Sequence, residues 1–213
     1  MDTSTDLRQQ ALANKIPRVD AVLYTHPHAD HIHGIDDLRS FNFIQKEVIP
    51  VFGNEWTTRE LEERFGYVFG SGGIYEGGGR PMLELRRITK TDRPFNYKGL
   101  KIQPIPLSHG SMECLAYRIG SVAYATDCSY IPPQSLELLQ GLSVLVLDCL
   151  QLAPHRTHLN LDQALEIVSQ VKPRRTVFTH LGHDFDYTAW SRKLPKGTEL
   201  AYDGMKIRFN AGE

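Results

Sequence analysis

What this chain of 213 residues has little of sets its first bounds. It carries three cysteines, Cys114, Cys128 and Cys149, odd in number and widely spaced, so neither a disulfide framework nor a zinc knuckle is suggested. No apolar run approaches membrane-spanning length. The start, Met1-Asp2-Thr3-Ser4-Thr5-Asp6, lacks the cationic and apolar regions of a secretory signal, and a cytoplasmic compartment is the expectation. Formal net charge is −1 and no run of Lys or Arg stands out, so there is no electrostatic footprint for nucleic acid. The glycines of Gly70-Ser71-Gly72-Gly73 and Gly77-Gly78-Gly79 come without the Gly-Lys-Ser/Thr of a phosphate loop. Residues 66–81 therefore read as a mobile lid or a surface loop. What remains is ordinary globular composition, 41% hydrophobic and 23% charged. With no internal repeat or linker, residues 1–213 read as one domain.

Against that plain background stands Thr25-His26-Pro27-His28-Ala29-Asp30-His31. Three imidazoles and a carboxylate in seven residues are ligands for a first-row transition metal. Just upstream, Val19-Asp20-Ala21-Val22-Leu23-Tyr24 reads as a buried strand. The cluster thus sits where open α/β sheets place their sites, on the loop leaving a strand's carboxyl end. A solvated loop rich in His by chance is the bland alternative, and it carries long odds.

Further apolar runs repeat the pattern. Residues 100–107 lead to His109, 122–126 to Asp127 and 176–179 to His180, while 144–147 lead to Asp148. His and Asp favour turns, so one instance would mean nothing. This many beside a dense His/Asp motif points to one shared rim. Helices fill the gaps. Thr57-Thr58-Arg59-Glu60 is a capping-box sequence before Leu61 and Phe65. Asn160-Leu161-Asp162-Gln163 opens a second helix with Ala164, Leu165, Ile167, Val168 and Val171 at core spacing and Pro173 beyond its end. Ser135 is expected to cap a third.

The His-x-His-x-Asp-His cluster, followed in order by His109, Asp127 and His180, resembles the metallo-β-lactamase superfamily. Gly34-Ile35-Asp36-Asp37-Leu38-Arg39, Pro106-Leu107-Ser108-His109-Gly110 and Tyr202-Asp203-Gly204-Met205 resemble one branch more closely. That branch holds the cyclic-phosphate phosphodiesterase of the carbon–phosphorus lyase pathway and is related to ribonuclease Z. The resemblance runs over essentially the whole chain. It implies an α/β fold, the four-layer αβ/βα sandwich. It also implies two divalent transition-metal ions, zinc or manganese, with iron a further candidate. His26, His28 and His109 would hold one ion, Asp30, His31 and His180 the other, and Asp127 would bridge them. Two such cations make hydroxide available at neutral pH and neutralise the oxygens of a phosphorus centre. His158 aligns with the branch's catalytic imidazole that is not a ligand, suited to stabilising developing charge or protonating the leaving alkoxide. Asp148 and His183 are candidates for hydrogen-bonding to ligand imidazoles. His33 and His155 are weighed evenly against plain surface roles. Cys128 reads as core.

The chain departs from that family in two places. The resemblance begins abruptly at Asp2-Thr3-Ser4, so the N-terminal strands are expected to be lacking. An exposed edge would follow, predicting lower stability or oligomerisation, a homodimer included. Relatives with a structural zinc hold it by N-terminal cysteines and the second His of Thr-His-x-x-His. His183 matches that His, but no cysteine precedes Cys114, so that zinc is not expected. The leading expectation is a binuclear phosphodiesterase acting on a small cyclic or nucleotide-like phosphodiester. A glyoxalase-type thioesterase is the catalytic rival, and a truncated metal-binding remnant the non-catalytic one. β-Lactam hydrolysis is disfavoured because those enzymes lack the bridging carboxylate. Transfer-RNA maturation would need an RNA-gripping arm, and none is evident.

Overall fold

In the computed structural model, which describes residues 1–70 and 79–209, the chain divides into two compact units, Met1–Thr89 and Lys90–Glu213. The first is built on a three-stranded parallel sheet in the order β1 (Val22–Leu23), β2 (Ile49–Gly53), β3 (Leu83–Arg87). Parallel neighbours require crossovers. Helices α2 (Ala29–Ile32) and α3 (Leu38–Gln45) separate β1 from β2, while α4 (Glu55–Arg64) and α5 (Gly66–Phe69) separate β2 from β3. Before β1 comes α1 (Leu7–Asn14). All five residues of β2 are buried, as a covered parallel strand demands. Around it pack Tyr24, Ile32, Ile35, Leu38, Phe41 and Leu61.

The second unit has a seven-stranded sheet, ordered β10-β9-β8-β7-β6-β5-β4. It runs from β4 (Phe95–Tyr97) through β5 (Leu100–His109), β6 (Met112–Ile119), β7 (Val122–Ala125), β8 (Val144–Asp148) and β9 (Arg175–Thr179) to β10 (Thr198–Leu200). The strands from β4 to β7 pair antiparallel, whereas β7 to β10 pair parallel. Helices α6 (Pro133–Leu138) and α7 (Leu161–Val171) make crossovers, and the short α8 (Tyr187–Trp190) precedes β10. Ala164 and Val171 of α7 are buried, with Leu165, Ile167 and Val168 against the same core as Leu145, Leu147 and Phe178. Among the described residues, no helix is long and apolar enough to cross a membrane.

The expected strands are all present, though β1 is shorter than residues 19–24 suggested. Helix starts differ more. Asn54, not Thr57, caps α4, its side chain accepting from the Thr57 amide at 2.9 Å. Asn prefers that position at least as strongly as Thr does. Ser135 lies inside α6, where its hydroxyl donates to the Pro106 carbonyl at 2.6 Å. A tertiary acceptor outcompetes the local cap there. Asn160 does cap α7, in a reciprocal box with Gln163. Of the glycine-rich 66–81 stretch, Gly66–Phe69 forms a helical turn, and residues 71–78 lie outside the described residues.

Candidate metal centre

In the first unit, β1 ends at Leu23 and the chain leaves it through Thr25 into the His/Asp cluster. His26 is buried, its Nδ1 3.0 Å from the Thr25 hydroxyl and its Nε2 3.0 Å from His28 Nδ1. The single turn of α2 then brings Asp30 to His31, with 3.3 Å between Asp30 Oδ2 and His31 Nε2. The opposite edge of that ring is held from the chain's start: His31 Nδ1 donates to Asp2 Oδ2 at 3.0 Å. Asp2 also accepts from the Thr25 amide at 2.8 Å and the Thr25 hydroxyl at 3.1 Å. The Asp2 amide donates to Leu23 O at 2.9 Å and the Thr3 amide to His31 O at 2.7 Å. Gly34 permits this close approach, because a Cβ there would meet the Ser4 carbonyl oxygen at 2.1 Å. Sequence reasoning missed Asp2. Its only signal was a carboxylate at the point where the resemblance begins.

The second unit supplies its groups from one rim. Residues at the carboxyl ends of β5, β7, β8 and β9 are His109, Asp127, Asp148 and His180. Strands β7, β8 and β9 are parallel, and β5, two antiparallel steps from β7, points the same way. Asp127 and His180 both adopt left-handed backbone, with φ of +55° and +58°. Such conformations in non-glycine residues concentrate at functional sites. They bring Asp127 Oδ2 within 3.3 Å of His180 Nε2. The Asp127 amide is held at 3.1 Å by Asp148 Oδ1, an oxygen that also accepts from His158 Nδ1 at 3.1 Å. Asp148 Oδ2 accepts from the Leu159 amide at 2.8 Å. Fully buried, the Asp148 carboxyl is pushed above the usual carboxylate range by desolvation, while the hydrogen bond from His158 pulls it back down.

The loop before α7 fixes other rings as well. His109 Nδ1 donates to the Thr157 carbonyl at 2.8 Å. Gly110, with φ +64°, allows that approach, since a Cβ would lie 2.8 Å from Thr157 Cγ2. The His158 ring stacks on His180 at 4.8 Å between centroids and meets His109 edge-on at 4.7 Å. His155, exposed, lies 5.3 Å from His158. His183 stands fully in solvent, 3.8 Å from Asp184. Its ring is left outside while its neighbours Leu181 and Phe185 pack against the core, so it is not placed behind a ligand imidazole. His33 is exposed and meets Phe65 edge-on. Cys128 is buried in the core.

Each unit thus carries donors suited to a divalent ion. Ligands on a tetrahedral zinc with bonds of about 2.0–2.2 Å lie roughly 3.3 Å apart. The His26–His28, Asp30–His31 and Asp127–His180 pairs, at 3.0, 3.3 and 3.3 Å, are already at that spacing. With Nδ1 of His31 and His109 engaged by oxygen acceptors, the Nε2 edge of each ring is turned toward the ligand role.

A family model for the beta-lactamase superfamily domain matches residues 1–181. The chain belongs to that superfamily. Its fold is accordingly the metallo-β-lactamase fold, as expected. Among superfamily structures, a diphosphatase of the PhnP family is 39% identical, with a TM-score of 0.89 over 99% of this chain and 79% of that one. A Zn(2+)-bound PqqB from Methylobacterium extorquens is 18% identical, TM-score 0.75, over 98% and 82% of the two chains, a likeness of fold. An octanoyltransferase of Porphyromonas gingivalis (strain ATCC BAA-308 / W83) is 32% identical over 97% of this chain. The chain spans 41% of that relative's length.

Proposed function

We propose that the protein is a binuclear metal-dependent hydrolase that cleaves small phosphodiesters. In this reading His26, His28 and His109 hold one ion and Asp30, His31 and His180 the other, with Asp127 shared. The ions, when bound, activate water and neutralise charge on the phosphoryl oxygens. The chain's own residues do the rest. Asp148 accepts a hydrogen bond from His158 Nδ1–H, so the Nε2 edge is the one that faces substrate. There the imidazole protonates the departing alkoxide or bonds to the oxygen on which charge develops. The same carboxylate holds the Asp127 amide, so the shared ligand and the acid are kept in register.

The observation that carries this reading is a carboxylate, Asp127, at the end of β7, 3.3 Å from His180 and tied through Asp148 to His158. Likeness to the PhnP-family diphosphatase over 99% of the chain supports a phosphorus centre and brings a diphosphate linkage into the substrate range. The octanoyltransferase name belongs to a relative of which this chain spans well under half. All three thiols here are buried and protonated, so no cysteine offers itself for acyl transfer. The test is a substrate panel with metal-loaded protein: bis(p-nitrophenyl) phosphate, cyclic phosphodiesters, a dinucleoside diphosphate and lactoylglutathione. Phosphoryl substrates should be cleaved faster than the thioester. Faster cleavage of lactoylglutathione than of every phosphoryl compound would replace this reading with the thioesterase one.

A further inference from the structure

The second unit also holds four donors that these assignments do not use together. Asp127, Asp148, His158 and His180 each offer a ligand atom, all within 4.8 Å of one another. Two edges of the group are already at ligand spacing: 3.3 Å between His180 Nε2 and Asp127 Oδ2, and 3.1 Å between His158 Nδ1 and Asp148 Oδ1. The edge linking the pairs is the stack of His158 on His180, with planes 16° apart. Two imidazoles and two carboxylates are donors that zinc accepts, and the two negative charges balance a dication. Three of the four residues are almost wholly buried, where an uncompensated charge is expensive and a paired one is retained.

We infer that Asp127, Asp148, His158 and His180 form a metal position belonging to the second unit alone, inhibitory when filled by a zinc-type ion. Its effect on catalysis rests on the function proposed above; its existence does not. An ion there takes the lone pairs that Asp148 uses to orient His158. It also occupies the imidazole, which can then neither donate a proton nor bond to the substrate. Asp127 and His180 are drawn from the two-ion arrangement at the same time. Excess metal would thus switch the enzyme off through its own acid.

The position is tested in the full-length chain by removing every ligand of the first unit, as H26A/H28A/D30A/H31A. A parallel variant, H26Q/H28Q/D30N/H31Q, conserves side-chain volume and hydrogen bonding. Bound Zn²⁺ is measured by equilibrium dialysis with elemental analysis, and coordination by the visible absorption of Co²⁺. One ion per chain is expected in either background, with affinity falling at least tenfold when His158→Ala or Asp148→Asn is added. No retained ion in both backgrounds overturns the site, as does affinity unchanged by His158→Ala. In the wild-type enzyme, turnover should fall several-fold as free Zn²⁺ rises beyond saturation of two ions per chain. Constant turnover there overturns the inhibitory role. None of the metal measurements depends on which substrate is cleaved, so loss of this inference and loss of the phosphodiesterase reading are separable.

Discussion

Asp148→Asn is the most informative single change in the second unit. The wild-type carboxylate accepts three hydrogen bonds on two oxygens: from the Asp127 amide and His158 Nδ1 on Oδ1, each at 3.1 Å, and from the Leu159 amide on Oδ2 at 2.8 Å. An amide of the same shape has one acceptor oxygen and an NH₂ group. If its oxygen keeps Asp127 and His158, its NH₂ faces the Leu159 N–H, donor against donor. The flipped amide keeps Leu159 and faces two donors instead. Either way at least one bond to a buried anion is lost and a buried donor is left without an acceptor. A bond to a charged group contributes about 1.5–3 kcal/mol, and an unsatisfied buried group costs about 1–3 kcal/mol. A loss of stability of roughly 2–4 kcal/mol is expected, read from denaturant unfolding at unchanged slope. Turnover should fall about 10²-fold, the factor that corresponds to roughly 2.7 kcal/mol of lost transition-state stabilisation. If Asp148 acts chiefly through His158, then adding D148N to H158A should slow it far less than 10²-fold, the remainder being what the Asp127 amide contributes. Losses in kcat that multiply, or a D148N enzyme with wild-type kcat, would refute the argument.

The remaining predictions concern neighbouring links in the same machinery. His158→Ala should lower turnover about 10²–10³-fold while the two tightly bound ions stay at wild-type stoichiometry by elemental analysis. The loss should shrink for a nitrophenolate leaving group if the imidazole chiefly acts as an acid, and persist if it stabilises charge. Asp127→Asn should damage activity and metal content more than Asp148→Asn, since the proposed function makes one a shared ligand and the other a positioning group; equal losses at equal metal content would show the bridge to be misplaced. Asp2→Asn should weaken metal binding about 10–100-fold through His31, the usual effect of removing a carboxylate behind a ligand imidazole, and an unchanged competition titration would dismiss the role. Native protein at pH 8 should resist thiol reagents. Burial pushes the Cys149 thiol up to about 12, leaving about one thiolate in 10⁴ at that pH, and rapid labelling without unfolding would contradict it.

The site and the fold were legible to different depths, and the physical reason is distance along the chain. His26, His28, Asp30 and His31 announce themselves because one turn of backbone brings them together, and a strand ending at Leu23 is written in the residues just before. His109, Asp127, Asp148 and His180 were readable one at a time, each as a polar residue closing an apolar run. Parallel pairing of β7, β8 and β9, with β5 pointing the same way, then places those ends on one rim. Periodicity found α7 because Asn160, Gln163 and the apolar face are all local. It misplaced the cap of α6 because Ser135 finds its acceptor 29 residues away, beyond any local signature, and that of α4 because Asn54, three residues before Thr57, competes for the same position.

Asp2 shows the same limit at the site itself. Its partners are 23 and 29 residues downstream, so nothing in Met1-Asp2-Thr3 marks it as the carboxylate behind His31. Asp148 was visible only as a turn residue or a helper of a ligand ring. The structure ties it to His158, the acid of the proposed function, and, through the same oxygen, to the amide of Asp127. In the proposed function, that shared oxygen couples the two roles of the rim. A left-handed Asp127 needs its amide held, His158 as the proposed acid needs its Nδ1–H held, and a single buried carboxylate does both. On the proposed function, any event that claims Asp148, whether substitution or a misplaced metal ion, should disturb Asp127 and His158 together.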